Sequence, residues 1–281
     1  MSFSVHSMAG VNSALRYLGE VSRDTAAVEN RIATGLKVGS AKDNGTIWAL
    51  AQGMRASNEG RNASLRSIDM ATGVVEVALA AAEGISDLMG EMKSKLVAAT
   101  DTSLDETSWR ALMNDYVVFA NEIKILVDNA DFGGQNLLKS GATDLSVLVG
   151  DDASDTMTIA AEDFTDGAGI LDVALPGTLP HSFSDIVSRP DQAMVTTFES
   201  SMNDINSAMA RLGVGLKSLT IQKTLLTKQM DVTEAGIGSL VDADLGRENA
   251  KLQALRVQQQ LGMEALSVAN RAPQMILGFF R

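Results

Sequence analysis

His6 and His181 are the two histidines of this chain, and there is no cysteine to accompany them. Neither histidine stands in an HExxH spacing, and without thiols neither a cysteine–histidine metal set nor a disulfide framework can be built. Both read as polar surface. Asp151, Asp152 and Asp155 supply the hard oxygen ligands a divalent cation takes, but no bidentate Glu follows at EF-hand spacing, so the cluster reads as a solvated turn. GVGLKS (213–218) has the glycines and lysine of a phosphate loop without the GxxxxGK[ST] spacing, and it falls inside a heptad pattern. Close helix approach at Gly213 and Gly215 is the expectation there. No nucleophile, base and metal converge anywhere, which argues against an enzyme and against a cofactor.

What the sequence does carry is packing. Phe198, Met202, Ile205, Met209, Leu212, Leu216, Leu219, Leu226, Met230 and Ile237 recur at steps of four and three, with Lys223 and Thr233 at other seam positions. That heptad marks a helix laid along another helix. No proline lies between Asp191 and Ala272, so about 45 helical residues would run about 70 Å. The N-terminal half offers the partner. A first helix is expected over Val5–Leu36, with Met8, Val11, Leu15, Leu18, Val21, Val28, Ile32 and Leu36 on one stripe. A second is expected over Thr46–Ala99, capped by Asp43 or Asn44, with Ile47, Met54, Arg61, Ile68, Val75, Ala82, Met89 and Leu96 at a period of seven. Arg61 and Lys223 interrupt their seams, either as solvated positions or by meeting acidic partners. A third helix, Glu106–Asp128, is capped by Ser103 or Asp105.

The pattern then changes. Thr143–Val149 and Thr156–Ala160 read as a hairpin around GDDASD, and 161–190 is irregular, acidic and holds Pro176, Pro180 and Pro190. Asp191 is placed to cap the long helix, and Gly236 and Gly238 interrupt it. A last amphipathic segment, Leu240–Asn270, carries Val241, Leu245, Leu252, Leu255, Leu261, Leu266 and Val268. The fold class is therefore mainly α: a long antiparallel helical rod or coiled-coil bundle, its N- and C-terminal helices paired, with a small β-containing central insert.

The net charge is −12, and 141–191 alone holds ten acidic residues and one Arg. Near-neutral ends and an acidic centre suggest buried termini around a solvated middle. With no basic stripe evident, nucleic acid is not an expected partner. No window approaches the roughly 18 apolar residues of a membrane span, and the first 20 residues have no cleavable-signal pattern.

Three stretches resemble bacterial flagellin: NRIATGLKVGSAKDN (30–44), DNADFGGQNLL (128–138), and 245–281, which contains QQQLG (258–262) and ANRAPQMILGFFR (269–281). The resemblance covers 1–138 and 191–281; the compact insert and the SAKDNG spelling are similar to short alphaproteobacterial flagellins. It implies a filament-core domain from 1–45 and 233–281, including the connecting spokes. A helical rod domain would comprise 46–138 and 191–232, and an outward-facing insert 139–190. Core packing would fall to Val11, Leu15, Leu18, Ile32, Leu245, Leu252, Leu255, Leu261, Leu266, Phe279 and Phe280. The rod seam would comprise Ile68, Val75, Met89, Leu96, Phe198, Ile205, Met209, Leu212, Leu219 and Leu226, and the spoke Gly35, Ser40, Asp43 and Asn44.

The resemblance further implies a secreted structural subunit that polymerises into a hollow helical fibre for motility, outside the cell. Expected partners are other copies of itself or other flagellins, hook-associated and cap proteins, the flagellar type III export apparatus and an export chaperone. No nucleic acid and no membrane insertion are expected. A hook–filament junction protein and a type III-exported coiled-coil translocator or adhesin are the alternatives. Where many flagellins present an Arg–Glu–Leu patch to the flagellin-sensing Toll-like receptor, this chain has Glu91, Ser94 and Lys95. Reversed charge at 91 and the missing acid at 94 imply that recognition is lost.

Overall fold

The computed structural model describes residues 9–152, 154–165 and 189–278. In order these are α1 (Ala9–Thr34), α2 (Gly45–Ala99), α3 (Glu106–Asn129), β1 (Leu145–Leu148), β2 (Thr156–Ile159), α4 (Gln192–Val241) and α5 (Leu245–Gly278). The mainly helical class with one small hairpin is what the heptads imply. The chain divides into two compact units, 57–231 and 1–56 with 232–281, and α2 and α4 each contribute to both.

In unit 57–231, the period-seven positions of α2 (Ile68, Val75, Ala82, Met89, Leu96) are completely buried. They meet Trp109, Met113, Tyr116, Val117, Ala120, Ile123 and Val127 of α3, and Phe198, Ile205, Leu212, Leu219 and Leu226 of α4. Tyr116 and Phe198 stack at a tilt with centroids 6.0 Å apart. Buried alanines 71, 78, 82, 120 and 208 let the backbones approach closely. Lys223 binds Asp69 at 2.6 Å and Lys93 binds Glu199 at 2.9 Å. Advance along α2 thus matches retreat along α4, so the two run antiparallel.

Caps define the helix ends. Asp105, not Ser103, opens α3 by accepting the Thr107 N–H at 3.2 Å. Asp191 accepts the Met194 N–H at 3.0 Å. After α3, Gly133 and Gly134 take positive φ (62° and 83°), which turns the chain so that Leu137 and Leu138 enter the core. The antiparallel hairpin pairs Leu145 with Ile159 and Leu148 with Thr156. It is held on α2 by the Ser64 hydroxyl, which donates to the Gly150 carbonyl, and by Ser67, whose hydroxyl oxygen accepts the Leu148 N–H at 3.2 Å.

In the other unit, α1 and α5 pair through Val21, Val28 and Leu255, with Ile32 and Leu252 partly covered. A second small cluster gathers Val38, Ala51, Ile237 and Val241. The expected interruption at Gly236 and Gly238 does not occur, and α4 continues to Val241. A Cβ at Gly236 would lie 3.1 Å from Met54 Cε, so this glycine makes room for a neighbour rather than breaking the helix. The last helix likewise runs past Asn270 to Gly278.

Candidate functional site

The residues that could do chemistry are occupied with structure. The Asp152 carboxylate accepts the Ser154 hydroxyl at 2.5 Å and its N–H at 2.9 Å, and these bonds hold it below the ordinary carboxylate range. Asp151 faces Arg61 at 3.8 Å. Gly215 is a close-approach point, but to the hairpin rather than a helix: a Cβ there would sit 3.3 Å from Ile159 Cγ2. Gly213 faces open space, so the close approach expected there is absent. His6 and His181 lie outside the described residues.

A cleft of about 300 Å³ lies between β2 and α4, edged by Met157, Ile159, Glu162, Arg211 and Val214. Arg211 crosses it as a fork, donating through Nε and Nη2 to the two Glu162 oxygens at 2.6 and 2.7 Å. Glu162 is buried, and the pairing raises the Arg211 pKa above its already high ordinary value. This fixed ion pair fastens the strand end to the helix. Arg189 does the same for the α2–α3 turn: its guanidinium donates to the Asp101 and Leu104 carbonyls and lies 5.8 Å from the Trp109 ring centre. Neither clasp has a local sequence signal, because the partners are far apart in the chain.

The ten expected seam residues share one core: Ile68, Val75, Met89, Leu96, Phe198, Ile205, Leu212, Leu219 and Leu226 are buried, and Met209 is half-buried. The junction residues also converge. Gly35 takes φ +71°. Asp43 Oδ2 accepts the Ser40 hydroxyl at 3.0 Å and the N–H groups of Ser40 and Gly39 at 2.9 and 3.1 Å. The Ser40 hydroxyl is the first cause of its lowered pKa, followed by the Ser40 N–H. Asn44, not Asp43, caps α2, accepting the Ile47 N–H at 3.0 Å. Across the junction the Val241 carbonyl accepts the N–H groups of Lys37 and Val38, and Gly35 accepts that of Ala243.

The terminal helices are less complete. Leu255 is buried, and Val11, Leu18, Ile32, Leu252 and Leu266 are half-buried. Leu15, Leu245 and Leu261 are 51%, 46% and 59% exposed, while Phe279 and Phe280 lie outside the described residues. For Leu261 the reason is that α5 has two apolar stripes rather than one. Leu252, Leu255, Gly262 and Leu266 turn toward α1, where Leu18 leaves Gly262 no room for a Cβ. Ala254, Val257, Leu261, Ala265 and Val268 form a second heptad line that is exposed throughout. Unit 57–231 also shows apolar ridges to solvent: Val118 and Ile125 on α3, and Val214, Ile221 and Leu225 on α4. Of the three receptor-patch positions, Glu91 and Ser94 are exposed, and Lys95 is held by Asp115 at 2.7 Å.

Two family models match this architecture: the bacterial flagellin N-terminal helical region over residues 5–143 and the C-terminal helical region over 195–280. The chain belongs to the flagellin family. It is 37% identical to flagellin FljM of Caulobacter vibrioides over 99% of this chain and 98% of that one. It is 30% identical to a Brucella melitensis flagellin over 96% of each. These relatives place it with the alphaproteobacterial flagellins. A solved Bacillus cereus flagellin is 21% identical, covering 57% of this chain and 88% of its own, with a TM-score of 0.45. Among the described residues, no helix of this flagellin is long and apolar enough to cross a membrane.

Proposed function

We infer that the chain is a structural subunit of an extracellular flagellar filament, acting by polymerising rather than by catalysis. The observation that carries this is the second stripe of α5: Val257, Leu261 and Val268 stay 54%, 59% and 68% exposed although α1 is already paired. An unsatisfied heptad line on a paired helix needs a further helix, and further copies supply it. Among the described residues the α1–α5 pair itself buries three apolar side chains, Val21, Val28 and Leu255. That is small against an ordering cost of about 1–2 kcal/mol per residue. The terminal helices therefore gain their order on assembly, in a head-to-tail contact that repeats without closing.

In this reading, 1–45 and 233–281 pack the filament core, 46–138 and 191–232 form the surrounding rod, and 139–190 faces outward. The export apparatus, an export chaperone and the hook-associated and cap proteins are its transient or terminal partners. Glu91, Ser94 and Lys95 remove the Toll-like receptor's contacts, which a reporter-cell response equal to that of an enterobacterial flagellin would refute. Negative-stain microscopy of purified protein seeded with short filament fragments tests the main reading. The intact chain should elongate and a chain lacking 240–281 should not. Long fibres from the truncated chain, or none from the intact one, would overturn it.

A further inference from the structure

The charge of this chain is acidic overall, yet α4 from 205 to 230 holds Arg211, Lys217, Lys223 and Lys228 and no acid. Two of these cations are used internally, by Glu162 and Asp69. Lys217 and Lys228 are exposed and make no ion pair with a described residue. They share one helical line with Val214, Ile221 and Leu225, which are 66%, 58% and 47% exposed, and stand on either side of Ile221 and Leu225. The opposite bias appears on α2. From 67 to 92 it holds Asp69, Glu76, Glu83, Asp87 and Glu91 and no base. Glu76, Glu83 and Asp87 fall on one exposed line at steps of seven and four, without ion pairs among the described residues. The surface along this line is shallow: Ala80, between Glu76 and Glu83, and Gly90, one turn beyond Asp87, are exposed, and a Cβ at Gly90 would meet nothing within 4 Å.

The two faces match in length. Lys217 to Lys228 and Glu76 to Asp87 are the same number of residues apart, about 16 Å along a helix at about 1.5 Å per residue. An apolar ridge flanked by two ammonium groups thus has the spacing of a shallow face carrying two carboxylates. The antiparallel packing of α2 on α4 within one chain leaves both sets without an ion pair among the described residues, so both are available to another copy.

We propose that the α4 ridge of one copy docks on the acidic α2 face of a second, with Lys217 and Lys228 pairing with Glu76 and Asp87. The proposal rests on the filament reading and specifies one of its contacts. Two different surfaces meet, so a docked pair keeps one of each free and the contact propagates. Charge on an exposed face steers docking and sets register more than it adds bulk affinity.

The test is filament yield, by sedimentation and microscopy, at a concentration where the unaltered full chain polymerises. K217E/K228E and E76K/D87K should each lose about ten-fold or more, because every contact then opposes like charges. The quadruple swap K217E/K228E/E76K/D87K, and an equimolar mixture of the two double variants, should recover filaments. Unaltered circular dichroism of the monomers establishes that these exposed changes leave the fold intact. Double variants that polymerise normally, or a folded quadruple swap that does not polymerise, would overturn the proposal and leave the filament reading standing. Failure of the unaltered chain to polymerise would instead strike the filament reading.

Discussion

Two glycines of α2 should respond in opposite directions to the same change. Gly60 and Gly90 are both interior helical positions, where Gly→Ala ordinarily gains about 0.8–1.0 kcal/mol. A Cβ at Gly90 meets nothing within 4 Å, so G90A should keep that gain. A Cβ at Gly60 would lie 2.4 Å from the Asp151 carbonyl oxygen and 3.2 Å from its Cα, both backbone atoms of the hairpin turn. To admit it, the turn must lift from α2, which loosens Ser64 from Gly150 and Arg61 from Asp151. Overpacking of this kind costs about 1–3 kcal/mol and a lost hydrogen bond about 0.5–1.5 kcal/mol. The helix gain offsets part of this, so G60A should destabilise by about 2 kcal/mol at mid-range. In urea, with a slope of about 1–3 kcal/mol per molar, its midpoint should fall by roughly 1 M while that of G90A rises by a few tenths. Circular dichroism of the full chain reads both. A G60A midpoint at or above the unaltered one would refute the argument that the turn's backbone is held against α2 at that residue.

Arg211→Ala should cost about 1–3 kcal/mol, since it strands a buried Glu162 carboxylate, while the exposure of Arg211 itself keeps the loss below that of a fully buried pair. Adding Glu162→Gln should restore part of it in the same unfolding assay. Asp43 titrates below the ordinary value of 3.8 in the folded chain. Its stabilising effect is therefore present above that value and lost as pH falls through the lowered one, and an NMR titration of its carboxyl should show the depressed midpoint. D43N should remove that acid dependence. Replacing Val257, Leu261 and Val268 by Ser should leave monomer unfolding within about 0.5 kcal/mol of the original, because all three are exposed. It should nevertheless abolish filaments in the microscope.

Much of the fold was legible because a heptad states both that a helix exists and that it has a partner. Ile68, Val75, Met89 and Leu96 against Phe198, Leu212 and Leu219 follow from spacing alone. The apolar pattern of α5 does not by itself separate two stripes, because a helix apolar on two faces gives a broad pattern, so Leu255 and Leu261 look equivalent until α1 covers one. From the sequence alone Gly236 reads as a break, since a glycine's cost to a helix is local, whereas the Met54 side chain that requires it comes from α2. Asp43 and Asn44 are both good caps by type, and only the Ser40–Asp43 turn assigns their roles. The clasps of Arg189 and Arg211 were invisible for the same reason: each reaches a partner that the sequence places on another element.

The hydrogen bonds from Lys37 and Val38 to Val241, and from Ala243 to Gly35, fasten the chain's outgoing bend to its returning one. A crease stitched across both strands cannot fold on one side alone. The end of α1 and the start of α5 are thereby tied to one another, and a change of direction at either is felt by both.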